Sequence, residues 1–388
     1  MASDDLVPET KVLAIASHVV YGYVGNTMAT LAMQSLGCEV AALNTVHFSN
    51  HTGYRQFRGT KSSAQEITNL YEGLRQSYLT DFDVLLTGYA PSATAVEAVG
   101  AIAMDLKKKA SKQPGSFFWV LDPVMGDQGR IYVNEDVVPA YKALVPHADL
   151  ILPNQFEAEL LSGIKITSAE NLVDAVTVIH RTYNVPHVIV TSVQLPGPPS
   201  SSASSVISLS TADNSSVSQD ARPDNMLAVF GSTMRSDRSA RLFKVEVPRL
   251  DCFFSGTGDM FGALMVGRLR EAVFNDSPAL RETASWVSPD NVAMTDLPLA
   301  KATEKVLASM HTVLEKTMIA RNEELARYQN EDENNDAEFA HLPEEERKAA
   351  LEKRARLRAS KAAEIRLVRN VEHVRHPVVK FKVREWNQ

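Results

Sequence analysis

Six short, unbroken apolar runs, at 11–16, 39–43, 84–87, 117–121, 149–152 and 187–191, are spaced through the first half of the chain. Stretches with helical spacing separate most of them, over 26–36, 63–78, 91–109, 154–161 and 168–183. This alternation is the strongest constraint on the fold. A strand that reads as a continuous apolar run must be buried on both faces, as in a mostly parallel sheet between helical layers. Gly37 and Gly163 stop two of the helices, and Lys107-Lys108-Lys109 fill a last turn where the dipole favours cations. The predicted class is therefore α/β. Polar residues gather at the predicted strand exits: Ser17, Asn44, Thr87, Asp122, Asn154 and Thr191. In open α/β sheets the carboxyl ends of the strands form the ligand crevice.

The second half departs from that rhythm. Ser, Pro, Gly and Asn dominate from Pro196 to Asp224, as in a surface insertion. Two further strands are predicted at 227–230 and 242–247, flanking an Arg-rich turn at 235–241, and a long helix at 299–328. The tract 329–363 is highly charged and reads as a solvated helix or a disordered segment. Residues 378–383 alternate in polarity, as an edge strand does. The expected organisation is one domain over 1–328 with the Ser/Pro-rich insertion at about 196–226, a charged insertion at 329–363, and a C-terminal segment at 364–388. The net charge of −7, from 40 basic and 47 acidic residues, does not suggest a nucleic-acid partner. Cys38 and Cys252 make no disulfide framework in 388 residues, which fits a reducing compartment. The acidic amino terminus resembles neither a secretory signal nor a transit peptide. No apolar run approaches the roughly 18 residues of a membrane span. A cytoplasmic location is expected, with a nuclear one left open.

The stretch Ser255-Gly256-Thr257-Gly258-Asp259-Met260-Phe261-Gly262-Ala263 reads as a glycine turn opening a helix. Glycines let backbone N–H groups close on one spot, and the helix terminus adds partial positive charge there. Such a cradle suits a phosphate in transfer, with Asp259 beside it as a base for an attacking hydroxyl. Helix dipoles also favour an Asp in the first turn without any chemistry. Asp122-Pro123-Val124-Met125-Gly126-Asp127 sets two carboxylates across a turn at a strand exit. They suit Mg²⁺ held through water near phosphates, or simply a tight turn. Asn154 and Glu157 share a helix face and fit a capping box as well as a metal or phosphate site. The loop Val46-His47-Phe48-Ser49-Asn50-His51-Thr52-Gly53-Tyr54 suits a small polar ring, with Phe48 for its face and Thr52 for its edge. Histidine spacing does not support zinc, and no Gly-x-x-x-x-Gly-Lys-Ser/Thr loop occurs.

Taken in order, these blocks resemble the pyridoxal kinases of the ribokinase-like superfamily. The blocks are Ser17-His18-Val19 with Gly22-Tyr23-Val24-Gly25-Asn26, Phe48 to Tyr54, Leu86-Thr87-Gly88-Tyr89, Asp122 to Asp127, Pro153 to Leu161, and Gly256 to Asp259. The resemblance covers about 11–195 and 245–328, with the tail from about 364. It implies a three-layer ribokinase-like fold and ATP-dependent phosphorylation of the 5′-hydroxyl of pyridoxal, pyridoxine or pyridoxamine. The family's general base corresponds to Asp259 and its anion hole to Gly256, Thr257 and Gly258. Its pyridine-ring contacts correspond to Ser17, Val46, Thr52 and Tyr89, and its lid to the loop through Tyr132. Contacts to ATP and Mg²⁺ correspond to Asp127, Asn154, Glu157, Thr191 and Ser192, with an adenine wall from Leu250 to Phe254. The family is dimeric and uses a monovalent cation, K⁺, near the positions of Asp122 and Thr191. Leu152 departs from the Thr the family often carries there, and the lid after Asp127 is short. Two other readings compete: a hydroxymethylpyrimidine or sugar kinase on the same fold, since fold does not fix substrate, and a non-catalytic vitamer-binding scaffold using the charged tract.

Overall fold

A computed structural model describes residues 7–127, 129–193, 226–334 and 339–386. Apart from Met226, the Ser/Pro-rich insertion expected at about 196–226 lies outside the described residues. The strands are β1 (Lys11–Val19), β2 (Glu39–Phe48), β3 (Gly59–Lys61), β4 (Val84–Thr87), β5 (Phe118–Leu121), β6 (Gly126–Asp127), β7 (Arg130–Ile131), β8 (Leu150–Ile151), β9 (His187–Val193), β10 (Met226–Thr233), β11 (Leu242–Pro248) and β12 (Arg384–Glu385). Ten of them form one sheet in the order β12-β11-β10-β9-β8-β5-β4-β1-β2-β3, and β6 and β7 make a separate two-stranded hairpin. The run from β2 to β9 is parallel, while β3, β10, β11 and β12 join it antiparallel.

Strand pleating divides the apolar side chains between two layers. Val12 and Ala14 of β1, with Phe118 and Val120 of β5, face a core built on α1 (Gly25–Ser35), α7 (Thr257–Glu271) and α8 (Pro298–Asn334). Their neighbours Leu13, Ile15, Trp119 and Leu121 face a second core. That core is covered by α2 (Ala64–Gln76), α3 (Ala93–Ala110), α4 (Val137–Leu144), α5 (Gln155–Ser162) and α6 (Ala169–Tyr183). Burial on both faces is what the continuous apolar runs require. Serine hydroxyls start three of these helices, Ser63 accepting from Glu66 N–H, Ser92 from Ala95 N–H and Ser168 from Asn171 N–H. The short α4 was not foreseen, because Pro139 interrupts an already brief pattern.

The chain leaves β1 through α1 toward β2 on one side and returns through α2 to β4 on the other. The sheet therefore reverses its winding at β1, and the carboxyl ends of β1 and β4 open a crevice there. A register shift between Ala16 and His18 marks a bulge at this exit, which re-aims Ser17.

Helix α8 runs past the predicted end at residue 328, since 329–334 holds neither Gly nor Pro. The charged tract continues in α9 (Glu344–Ala362), which packs along α8. The C-terminal edge strand is Arg384–Glu385 on β11 and not 378–383. Val383 is buried and its N–H donates to Glu304 Oε1 at 2.8 Å, so a carboxylate takes an amide that a ladder would need. No helix among the described residues is long and apolar enough to cross a membrane.

Two buried histidines tie neighbouring elements to β10, His180 from α6 and His187 from β9. His180 Nδ1 donates to Val185 O and its Nε2 accepts from Ser232 Oγ, both at 2.8 Å. His187 Nε2 donates to Ser285 O at 2.7 Å and its Nδ1 accepts from Thr233 Oγ1 at 3.0 Å. The carbonyl partners require opposite neutral tautomers in the two rings. Burial pushes both imidazoles down to about 4. An unfolded chain binds these protons near pH 6.5 and the folded one only near pH 4, so stability falls as pH drops between those values. We expect the thermal midpoint to decline through that window, and His180→Gln to flatten the decline while lowering stability at pH 7; calorimetry across pH 4–7.5 checks both.

Candidate active site

The crevice holds a cleft of about 960 Å³, with a second chamber of about 870 Å³ beside it. Asp127, Thr191, Ser192, Phe253, Phe254, Thr257 and Gly258 line both, so the two volumes meet at the amino end of α7. Gly256 is the N-cap of that helix and has φ 85°. A Cβ there would collide with the carbonyl oxygen of Tyr23, so this position takes only glycine without moving the 22–25 turn. A Cβ on Gly258 would stand 3.7 Å from Asp122 Oδ2, which leaves its backbone open to the cleft. Most of α7 behind this turn is buried, Met260 to Arg270 without a break, which keeps its dipole poorly screened.

The first chamber has an apolar wall and a polar floor. Val19, Val24, Val46 and Phe48 form a small cluster of their own, with Tyr89 packed against it. All five line the cleft and bound a flat slot. Ser17, His51, Thr52 and Tyr132 add polar edges. The Tyr89 carbonyl accepts from Thr45 Oγ1 at 2.7 Å, which ties the slot to β2. The hairpin of β6 and β7 carries Asp127 and Arg130 over the opening. The second chamber is walled by Leu250, Cys252, Phe253 and Phe254 on one side and by Leu307, Met310, His311 and Leu314 of α8 on the other.

Asn154 and Glu157 form the capping box that the sequence allows, Asn154 Oδ1 accepting from Glu157 N–H and Glu157 Oε2 from Asn154 N–H, both at 2.9 Å. They also brace the turn opposite. Glu157 Oε1 accepts from Met125 N–H at 2.8 Å, and Asn154 Nδ2 donates to Gly126 O at 2.7 Å. Both carboxylate oxygens of Glu157 are thus engaged by backbone, yet the residue still borders the cleft. Asp122, Glu157 and Asp259 hold one another's charge in a small space. Burial raises the Asp122 carboxyl well above the usual range, and the charges of Glu157 and Asp259 raise it further. Burial also raises Glu157, against the pull of its backbone donors. Asp259 is raised by burial and steadied by the N–H of Gly25. Among the described residues no three His, Cys, Asp or Glu side chains stand in metal-holding geometry.

Every residue singled out for the site lines one chamber or the other: Ser17, Val46, Thr52, Tyr89, Asp122, Asp127, Tyr132, Asn154, Glu157, Thr191, Ser192, Phe254, Gly256, Thr257, Gly258 and Asp259 the first, and Leu250 the second. Two strand-exit residues do not. Thr87 Oγ1 accepts from the buried Trp119 Nε1 at 2.9 Å, and Asn44 Oδ1 accepts from Asn26 Nδ2 at 2.8 Å. Val19, Val24, Arg130 and the α8 residues had no assigned role, while Phe253 lies within the expected adenine wall. The α8 residues lie on a helix whose apolar stripe reads as ordinary core.

A sequence profile of the phosphomethylpyrimidine kinase family matches residues 33–225. Human pyridoxal kinase is 35% identical over 321 residues, covering 80% of this chain and 86% of its own. The pyridoxal kinase of Sus scrofa is likewise 35% identical over 321 residues, covering 80% of this chain and 83% of its own. Pyridoxal kinase from Leishmania donovani, solved with ADP and pyridoxamine, superposes with a TM-score of 0.70 at 26% identity, covering 97% of this chain and 100% of that one. The sheet between two helical layers accordingly has the ribokinase-like fold, and the chain belongs to the pyridoxal kinase family.

Proposed function

We infer that the protein transfers the γ-phosphoryl group of ATP to the 5′-hydroxyl of pyridoxal, pyridoxine or pyridoxamine. The observation that carries this reading is the meeting of an aromatic slot and a second chamber at one helix amino terminus, with Asp259 beside it. Phosphoryl transfer asks mainly for positioning and charge stabilisation. The Val46, Phe48 and Tyr89 slot takes the pyridine ring by its faces, and Ser17 and Thr52 hydrogen-bond its edge. Leu250 and Phe254 border the adenine, while Asp127, Asn154, Thr191 and Ser192 lie along the phosphates. The N–H groups of Gly256, Thr257 and Gly258 receive the charge that grows on the transferred group. Asp259 orients the hydroxyl and takes its proton, and a carboxyl raised by burial is a better base for that step. Tyr132, on the segment after β7, closes over the opening.

The donor set fits Mg²⁺ held through water. Asp122 and Asp127 would offer carboxylates, while Glu157, with both oxygens already hydrogen-bonded, would act on an ion only through water. When bound, Mg²⁺ neutralises phosphate charge, and the clustered carboxyls are the groups such an ion would relieve. A K⁺ site would rest on Asp122 and Thr191, because Leu152 has no hydroxyl and its side chain packs toward Gly262. We further propose a homodimer. Val20, Tyr21 and Phe57 stay exposed around the outer end of β2 and give it apolar surface. A cytoplasmic location accords with two free cysteines.

Asp259→Ala is expected to fold normally and to lose about 10²- to 10⁴-fold in turnover, the span of a general base; near-native turnover would sink the assignment. Gly256→Ala is expected to lower both stability, by about 1–3 kcal/mol for a forced left-handed residue, and turnover, read by thermal melting beside the kinase assay. Steady-state ATP consumption against the three vitamers, hydroxymethylpyrimidine and ribose, with Mg²⁺ and with or without K⁺, tests the reaction itself. Turnover on the vitamers alone is the expected result, and turnover only on hydroxymethylpyrimidine or ribose would replace it.

A further inference from the structure

Outside the chemistry just described, one half-buried carboxylate touches the site from far along the chain. Glu364 follows α9 directly, and its side chain is 12% exposed. Its Oε1 accepts from Tyr54 Oη at 2.9 Å and stands 3.2 Å from His51 Nε2. Its Oε2 accepts from the Tyr23 N–H at 3.3 Å. A Cβ on Gly22 would collide with the same carboxylate, so the 22–23 turn lies directly against it.

Both loops held in this way border the cleft. Thr52 and Gly53 sit between the two tethered residues His51 and Tyr54, and both line the first chamber. A Cβ on Gly53 would come within 3.3 Å of Ser255 Oγ, at the start of the anion cradle. The carbonyl of Tyr23, whose N–H is on Glu364, is the group that abuts Gly256. One carboxylate therefore sets the ring-binding loop and the turn beneath the cradle at the same time. Glu364 is itself rigidly placed. Ile365 and Leu367 beside it are 1% and 0% exposed. The Arg366 N–H donates to Thr317 Oγ1 at 3.1 Å, and its guanidinium pairs with Glu324 at 2.6 Å.

We propose that Glu364 is a positioning residue for the vitamer. It preorganises the 51–54 loop and registers it against the cradle through the 22–23 turn. A half-buried carboxylate that loses a donor is costly, so its partners are held firmly. A loop fixed in its binding geometry spares the substrate the cost of ordering it. Neither Glu364 nor the 51–54 loop lines the second chamber, which is built from Leu250, Phe254 and α8, so the larger effect falls on the vitamer.

This inference rests on the kinase reading and is tested beside it in one assay. Wild type, Glu364→Gln, Glu364→Ala and Tyr54→Phe are compared for KM of pyridoxal, KM of ATP, kcat and thermal midpoint. Glu364→Ala is expected to raise the pyridoxal KM about tenfold, the factor for one charge-assisted hydrogen bond, with a clearly smaller change in the ATP KM. Glu364→Gln, which keeps the shape and an acceptor, falls between that variant and wild type. Adding Tyr54→Phe to Glu364→Ala costs less than it does in wild type, because the two residues share one contact. An unchanged pyridoxal KM in a folded Glu364→Ala, or equal rises in both KM values, overturns the positioning role. Absence of wild-type turnover on every vitamer rejects the kinase reading instead, which separates the two failures.

Discussion

Three carboxyl groups, those of Asp122, Glu157 and Asp259, stand around the amino end of α7, and much of the surrounding structure makes that arrangement tolerable. Like charges at close range in a site of low dielectric repel strongly. Glu157 is stabilised by three backbone N–H groups and Asp259 by that of Gly25. Asp122, which lies 3.7 Å from where a Cβ of Gly258 would be, is raised by burial and by the charges of both Glu157 and Asp259. A site with this balance has a place for positive charge, and it has the N-terminal N–H groups of α7 to supply part of it.

The layers explain how the groups come together. Each approaches from a strand exit or from a helix start at the carboxyl edge of the parallel strands. The reversal at β1 is what leaves room between them. The antiparallel extension β10 and β11 then carries the chain past the parallel run, so that the 250–254 segment and α8 enclose the second chamber. Two neutral histidines tie α6 and β9 to β10, and Arg241 ties the start of β11 to the 288–292 segment. The guanidinium of Arg241 is buried and donates to the carbonyls of Ser288, Pro289 and Val292.

Local pattern carried most of this. The apolar runs placed the parallel strands, because burial on both faces leaves little freedom in composition. The site residues were visible because they cluster just after those runs. Gly256 was visible because the left-handed region admits few other residues. What could not be read was long-range. Nothing in the local pattern sets Glu364 apart from the acidic residues of the charged tract that ends just before it, and its partners lie 310 and 341 positions away in sequence. The α8 wall was hidden for the opposite reason, since apolar spacing on a helix looks the same whether it faces a core or a cavity. The alternating stretch 378–383 misled because Glu304, on another element, competes for its backbone.

The contact between Glu364 and Tyr54 also has a temporal side. During synthesis the loop that borders the aromatic slot leaves the ribosome early, and the carboxylate that anchors it emerges some 310 residues later. The parallel strands from β1 to β9 can pair while the chain is still growing, but the slot cannot take its final shape until residue 364 has docked. Maturation of the pocket is thereby coupled to completion of the carboxyl-terminal layer, and a nascent chain that has already paired its parallel strands still lacks its finished pocket.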